Sequence, residues 1–186
     1  PGLIPVNPRR PDSGHSGRAS RRAALVARLD SAEQRLEQLA VAEPRGLTEP
    51  DPPTGERWEA GQVWAHVAEF PSYWLDQIRQ ILAADPARQP IPFGRTKTDR
   101  GRLAAIERDR HEPPAALLVR ASTAIAEARD FVERLELDRW SARGLHPTLG
   151  EMDVSRILDE FIVRHLEEHA DQLERLASSE SDARAR

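Results

Sequence analysis

Cysteine is absent from the 186-residue sequence, which excludes disulfides, thiolate metal ligands and cysteine nucleophiles. No apolar run approaches the ~18 residues that a membrane span needs, so we expect no membrane segment. There is also no charged-then-apolar leader of the secretory kind, and a cytoplasmic location is expected. Lys97 is the only lysine, and the formal net charge of −4 at pH 7 argues against a nucleic-acid-binding protein.

The chain is long enough for one domain with a sizeable core. Residues 1–18 are rich in Pro, Gly, Ser and Arg and lack hydrophobic periodicity, which predicts a flexible N-terminal arm. Residues 178–186 are polar and predict a disordered C-terminal tail. Residues 19–177 therefore form the predicted domain.

Apolar residues recur at helical spacing in four long stretches, and a fifth stretch is shorter. The predicted long helices run from Ala19 to Ala42, Glu59 to Ala84, Ala115 to Leu135 and Glu151 to Leu176, and the predicted short helix from Thr98 to Arg110. Pro71 lies inside the second long helix and predicts a kink there. The connections contain no credible strand, so we predict an all-α fold, a four-helix bundle.

Two histidines lie four residues apart in the last long helix. Because helical residues at this spacing lie on the same face, His165 and His169 point together, and the face that they share is otherwise apolar. Imidazoles arranged in this way can bind one metal ion at ~2.0–2.1 Å if another part of the fold supplies a further ligand.

His66 is the best candidate for that further ligand. It shares an inward helical position with the pair, whereas His15 lies in the arm, His111 lies before a double proline and His146 lies in a loop. At 1.5 Å per residue, His66 is ~10 Å from the start of its helix, and the midpoint of the pair is ~15 Å from the end of its own helix. Antiparallel packing would bring the three side chains to similar heights, which predicts a metal site formed by His66, His165 and His169.

A purely structural interpretation remains open, in which the three histidines are ordinary core residues. Two familiar metal motifs are excluded. A zincin needs Glu directly after its first His, where Leu166 stands, and a di-iron carboxylate bundle needs Glu three residues before His. Glu69 and Gln172 are candidates for contacts behind the ligands, and exposed positions on the helix surface would explain both residues at least as well. Glu167 and Glu168 are expected to be solvated.

Three stretches carry a resemblance to a known family: WEAGQVWAHVAEF (58–70), HPTLGEMDVSRIL (146–158) and RHLEEHADQL (164–173). From about Ala19 to Leu176 the chain resembles the DinB/YfiT-like metalloenzyme family, which includes thiol-dependent transferases of the bacillithiol and mycothiol type. The family's His...His-x-x-x-His arrangement is matched at each position. The resemblance implies a four-helix bundle, a divalent metal and a homodimer, and it does not single out a cofactor thiol.

The ligand set predicts a divalent ion, with Zn or Ni favoured, and a low-molecular-weight thiol stays open as a second cofactor. The hypothesis is that the ion activates a thiol or water for attack on a small electrophilic substrate, as in a thiol-dependent S-transferase or a hydrolase. The alternative is a non-catalytic bundle that binds metal or a protein partner. The residues leave open whether the chain is an enzyme.

Overall fold

The computed structural model describes the backbone of residues 13–184 and the side chains of residues 17–179. Its helices are α1 (Ser13–Ala42), α2 (Ala60–Ala83), α3 (Arg100–Asp109), α4 (Pro114–Arg134), α5 (Val154–Ile157) and α6 (Arg164–Arg184), and its strands are β1 (Ile91–Pro92), β2 (Arg143–His146) and β3 (Gly150–Asp153). A π-helical segment, Leu158–Val163, joins α5 to α6. Among the described residues no helix is long and apolar enough to cross a membrane.

The predicted four-helix bundle is confirmed: α1, α2, α4 and the helix formed by residues 154–184 surround one core. Each long helix buries its apolar stripe, as Leu29 and Leu36 of α1 illustrate, because helical spacing places such residues on one side. Arg28 of α1 donates both Nε and Nη2 to the carboxylate of Glu167 at 2.7 and 2.6 Å, which ties α1 to α6. Glu167, which was expected to be solvated, is partly exposed and also forms this ion pair.

The boundaries of the helices differ from the predictions mainly at the ends of the chain. Helix α1 begins at Ser13, six residues before the predicted start, and α6 continues to Arg184. Residues 1–12, 185 and 186 lie outside the described part, so the predicted arm (1–18) and tail (178–186) stay predictions. Helix α2 continues through Pro71, and the kink predicted there also stays a prediction.

The expectation that the connections contain no strand was wrong. Strands β2 and β3 pair antiparallel as a hairpin, and β1 adds to β2 in parallel, with Ile91 opposite Gly144. The strands are two to four residues long, too short for a period-two pattern to be evident in the sequence. The small sheet fixes the connection between α2 and α3 against the connection between α4 and α5.

Residues 154–184 form one continuous helix with a wider turn near its start. In the π-helical segment the Arg164 N–H donates to the carbonyl of Asp159, five residues earlier, instead of the usual four. The spacing between the buried positions before the segment and those after it therefore differs from that of a regular α-helix. Phe161, which lies within the segment, is only partly buried.

Candidate metal centre

The fold brings together the three histidines that the sequence singled out. His66 lies on α2, and His165 and His169 lie one turn apart on α6. The Nε2 atom of His165 is 3.1 Å from Nε2 of His66 and 3.2 Å from Nε2 of His169. These three residues form a group that could hold a metal ion.

The other ring nitrogen of each histidine faces an oxygen. His66 Nδ1 is 2.8 Å from Oε1 of Glu69, and His169 Nδ1 is 2.8 Å from Oε1 of Gln172. Because these oxygens only accept, Nδ1 of both histidines carries the proton and donates it. His165 Nδ1 lies 3.6 Å from Oε2 of Glu168. The arrangement therefore leaves the Nε2 lone pairs of His66 and His169 facing Nε2 of His165.

This donor set fits a cation. When Nε2 of His165 is also unprotonated, its lone pair faces those of His66 and His169 at 3.1 and 3.2 Å, and such lone pairs repel unless a positive charge lies between them. Three nitrogens bound at 2.0–2.1 Å with tetrahedral angles would lie about 3.3–3.4 Å apart, close to the observed spacing. Carbonyl or carboxylate acceptors at Nδ1 are also the partners that fix the tautomer of metal-binding histidines.

Burial keeps two of these imidazoles neutral. His66 is 3% and His169 6% exposed. Burial lowers the pKa of His66 well below its ordinary value, and the neighbouring His169 and His165 lower it further. Burial likewise lowers the pKa of His169, with His165 as the next contribution. Neutral imidazole is the form that binds metals, so the fold holds both side chains ready for coordination.

Two aromatic side chains enclose the cluster. Phe70, one turn after His66, has its ring centroid 4.6 Å from that of His165 and 5.1 Å from that of His66. Trp58, just before α2, stacks on His169 at 6.2 Å and contacts the edge of His66 at 5.5 Å. These rings limit the access of water, and the partly exposed His165 gives the cluster its opening to solvent.

Two arginines complete the surroundings, and no pattern in the sequence pointed to either. Arg95 Nη2 donates to Oε1 of Glu69 at 2.5 Å, and its guanidinium lies 3.8 Å from the ring centre of Tyr73. Burial raises the pKa of Glu69, whereas the hydrogen bond from Arg95 opposes that effect and favours the carboxylate. Arg102 lies over Trp58.

The remaining histidines lie elsewhere. His111 is exposed between α3 and α4, and the side chain of His15 lies outside the described residues. His146, predicted in a loop, ends strand β2 and is 5% exposed. Its Nδ1 accepts from the backbone N–H groups of Thr148 and Leu149, so Nε2 carries the proton and donates to the Arg95 carbonyl at 3.2 Å. His146 therefore fixes the segment that carries Arg95.

We expect His146→Ala to destabilise the fold without removing metal. The change removes the hydrogen bond to Arg95 and leaves a cavity beside Trp74 and Phe161, whose ring centroids are 6.2 and 5.3 Å from that of His146. The free energy of unfolding should fall by about 2–4 kcal/mol, measured by urea denaturation. Metal content should stay at the wild-type level, and its loss would place His146 in the site.

The stability of metal-free protein should depend on pH through the buried histidines. The pKa values of His66 and His169 are depressed in the folded state, whereas both are near 6.5 in the unfolded chain. Below pH ~6.5 the unfolded state therefore binds more protons, and stability falls by up to about 1.4 kcal/mol per pH unit for each histidine. Above that pH the contribution is constant.

Denaturant titrations in the presence of a chelator between pH 5 and 8 measure this slope. His111→Ala, which alters an exposed histidine, should leave the slope unchanged. A wild-type curve that stays flat from pH 6.5 to 5 would contradict the argument.

The fold and the histidine cluster define a helical-bundle protein with a candidate metal site, and sequence comparison gives its family. Residues 24–173 match the DinB superfamily, and the chain therefore belongs to that superfamily. No curated protein matches the chain in a sequence search.

Solved structures agree with this assignment of fold. One similar structure is YfiT from Bacillus subtilis, a probable metal-dependent hydrolase with an unusual four-helix bundle topology, with 14% identity, a TM-score of 0.70 and coverage of 95% of this chain and 94% of that one. Another is an uncharacterised protein from Escherichia coli UTI89, with 13% identity, a TM-score of 0.57 and coverage of 86% and 94%. At these identities the likeness concerns the fold alone.

Proposed function

We propose that the chain is a metal-dependent enzyme in which His66, His165 and His169 hold a divalent ion that activates a water or a thiol for attack on a small electrophilic substrate. The observation that carries the proposal is the convergence of three Nε2 atoms while Nδ1 of His66 and of His169 is committed to a fixed oxygen. A buried histidine that served only packing would have no need of that arrangement.

The donor set favours zinc or nickel. Imidazole nitrogen suits both ions, and among the described residues no thiolate is available to favour a softer one. Three protein ligands with a further open position are typical of catalytic sites, whereas structural zinc sites use four protein ligands. The chemistry that such an ion supplies is Lewis acidity, which makes water or a thiol nucleophilic near neutral pH.

The protein's own groups prepare the site. Glu69 holds the proton on Nδ1 of His66 and keeps Nε2 directed at the cluster, and the hydrogen bond from Arg95 favours the carboxylate form of Glu69. Gln172 does the same for His169. Phe70 covers the cluster from the interior and the partly buried Trp58 covers a second side, so a substrate would approach past the partly exposed His165 and the edge of Trp58.

Two reactions fit this site. Hydrolysis is supported by the shared fold of YfiT, a probable metal-dependent hydrolase. Thiol transfer is supported by the resemblance of the sequence to thiol-dependent transferases of the same family. In both reactions an activated nucleophile attacks a small electrophile. The two reactions differ in whether that nucleophile is water or a thiol.

A screen of electrophiles tests the proposal. Metal-loaded protein is incubated with activated esters, epoxides and alkyl halides, each with and without low-molecular-weight thiols. Turnover that requires both metal and a thiol identifies a transferase, and turnover with metal alone identifies a hydrolase. Product formed equally by His165→Ala protein would contradict the proposal, and stoichiometric metal without any turnover favours the non-catalytic alternative.

We also propose a homodimer, on the resemblance to the family. Two large aromatic residues of α2 do not offer a surface for it: Trp64 is 1% exposed within its own core, and Tyr73 lies under Arg95. Sedimentation equilibrium at micromolar concentration should give twice the chain mass of 20.9 kDa. A single-chain mass over the whole concentration range would remove this proposal.

A further inference from the structure

Arg102 is held in place beside the histidine cluster. Its backbone N–H donates to Oδ1 of Asp99 at the start of α3, at 2.8 Å, and its Nη1 donates to the Lys97 carbonyl at 2.9 Å. The guanidinium carbon lies 5.0 Å from the ring centre of Trp58. The side chain is thus half-buried and oriented, while only one of its nitrogens has a hydrogen-bond partner among the described residues.

The charge of Arg102 lacks a close counterion. Among the described residues no carboxylate oxygen lies within ion-pair distance of its guanidinium, although Glu56, Glu69 and Asp99 act on it from farther away. Burial lowers its pKa, and the like charge of Arg95 lowers it further. In contrast, the partly buried Arg28 has two carboxylates, those of Asp159 and Glu167. Taking a charge out of water without a partner is costly, so Arg102 is placed to gain from an incoming anion.

Arg102 also lies near enough to the histidines to act on them electrostatically. The Trp58 ring beneath its guanidinium is the ring that stacks on His169 and contacts the edge of His66. The positive charge of Arg102 contributes to the lowered pKa of both histidines. Arg95, the other nearby guanidinium, already pairs with Glu69. Arg102 is therefore the cation of this site that has no close carboxylate among the described residues.

We propose that Arg102 and Trp58 form an anion-binding subsite, and that the substrate of the site carries a carboxylate or phosphate group beside its reactive centre. That the bound anion is part of a substrate rests on the proposed function. The subsite itself needs no metal. The guanidinium offers Nε and Nη2 as a fork that matches two oxygens of an oxyanion. The Trp58 ring packs against the guanidinium and holds the fork in place.

An NMR titration with acetate and with inorganic phosphate tests the subsite on metal-loaded and on chelator-treated protein. Both anions should shift the Nε–H signal of Arg102 and the indole N–H signal of Trp58. Arg102→Gln should weaken binding at least about tenfold, since hydrogen bonds to a charged group are worth roughly 1.5–3 kcal/mol. Arg102→Lys keeps the charge without the fork and should give an intermediate affinity.

Arg100→Gln is the matched control. Arg100 lies two residues earlier on the same helix and is exposed, so its loss changes the net charge equally without touching the subsite. It should bind both anions as wild type does, and circular dichroism checks that the variants fold. The tighter of the two anions indicates whether the natural ligand carries a carboxylate or a phosphate.

The outcomes separate this inference from the metal proposal. Anion binding by chelator-treated wild type that is weakened in Arg102→Gln supports the subsite even if no turnover is ever found. Anion binding that needs metal and is equal in Arg102→Gln and wild type overturns the subsite and leaves the metal proposal intact. Equal weakening by Arg100→Gln also overturns it, because general charge would then explain the effect.

Discussion

Replacing His66 by alanine should lower the affinity for divalent metal by more than about a hundredfold. The change leaves His165 and His169 on one helix, so no ligand remains from α2 to complete the set. Even changes behind the ligands of metal sites typically cost 10–100-fold in affinity, and loss of a ligand should cost more. Metal content after purification, which should be about one ion per wild-type chain, and chelator competition measure the effect.

The control for this experiment is His111→Ala, because His111 is exposed and lies between α3 and α4. It should retain metal fully, whereas His165→Ala and His169→Ala should lose it as His66→Ala does. Full metal retention by His66→Ala would sink the three-histidine site and leave the cluster a structural role.

Gly61→Ala should cause a large loss of stability. Gly61 lies in the first turn of α2, where an added Cβ would be 2.1 Å from the carbonyl oxygen of Arg110, at the end of α3. Backbone cannot rotate away as a flexible side chain can, so α3 would have to shift. We expect the free energy of unfolding to fall by about 3 kcal/mol, as for other overpacking changes, in urea denaturation.

A second glycine tests whether the close approach is the cause. Gly17 lies in α1, where an added Cβ meets nothing within 4 Å. Gly17→Ala should therefore raise stability by about 0.5–1 kcal/mol, because alanine favours the helix and restricts the unfolded chain. If both variants unfolded like the wild type, the predicted steric conflict at Gly61 would be absent.

The helices could be predicted from the sequence because helical periodicity is a local pattern. Leu29, Ile78 and Ile125 each lie in a stripe that repeats at helical spacing, and each is fully buried. The histidine cluster was predictable for the same reason, since His165 and His169 share a face by spacing and His66 lies on another inward stripe. The presence of a metal there is still a prediction.

The surroundings of the cluster depend on contacts between distant segments. Arg95 lies in a connection without periodicity and Arg102 lies in the short helix that follows it, and the β2–β3 hairpin that fixes Arg95 through His146 is too short to recognise. Phe70 is different, because it lies four residues after His66 and so had to share its face. That spacing could have identified it as a wall of the site.

The π-helical segment at Leu158–Val163 has a consequence for how the chain can change in length. Its wider turn holds one residue more than an α-helical turn, as the hydrogen bond from Arg164 to Asp159 shows. Losing one residue there could close the turn into regular α-helix while both flanking parts kept their orientation. The same loss after the segment would rotate everything beyond it by about 100° and turn His169 away from His66. The fourth helix can therefore lose a residue within the π-helical segment, but not beyond it, without turning its histidines away from His66.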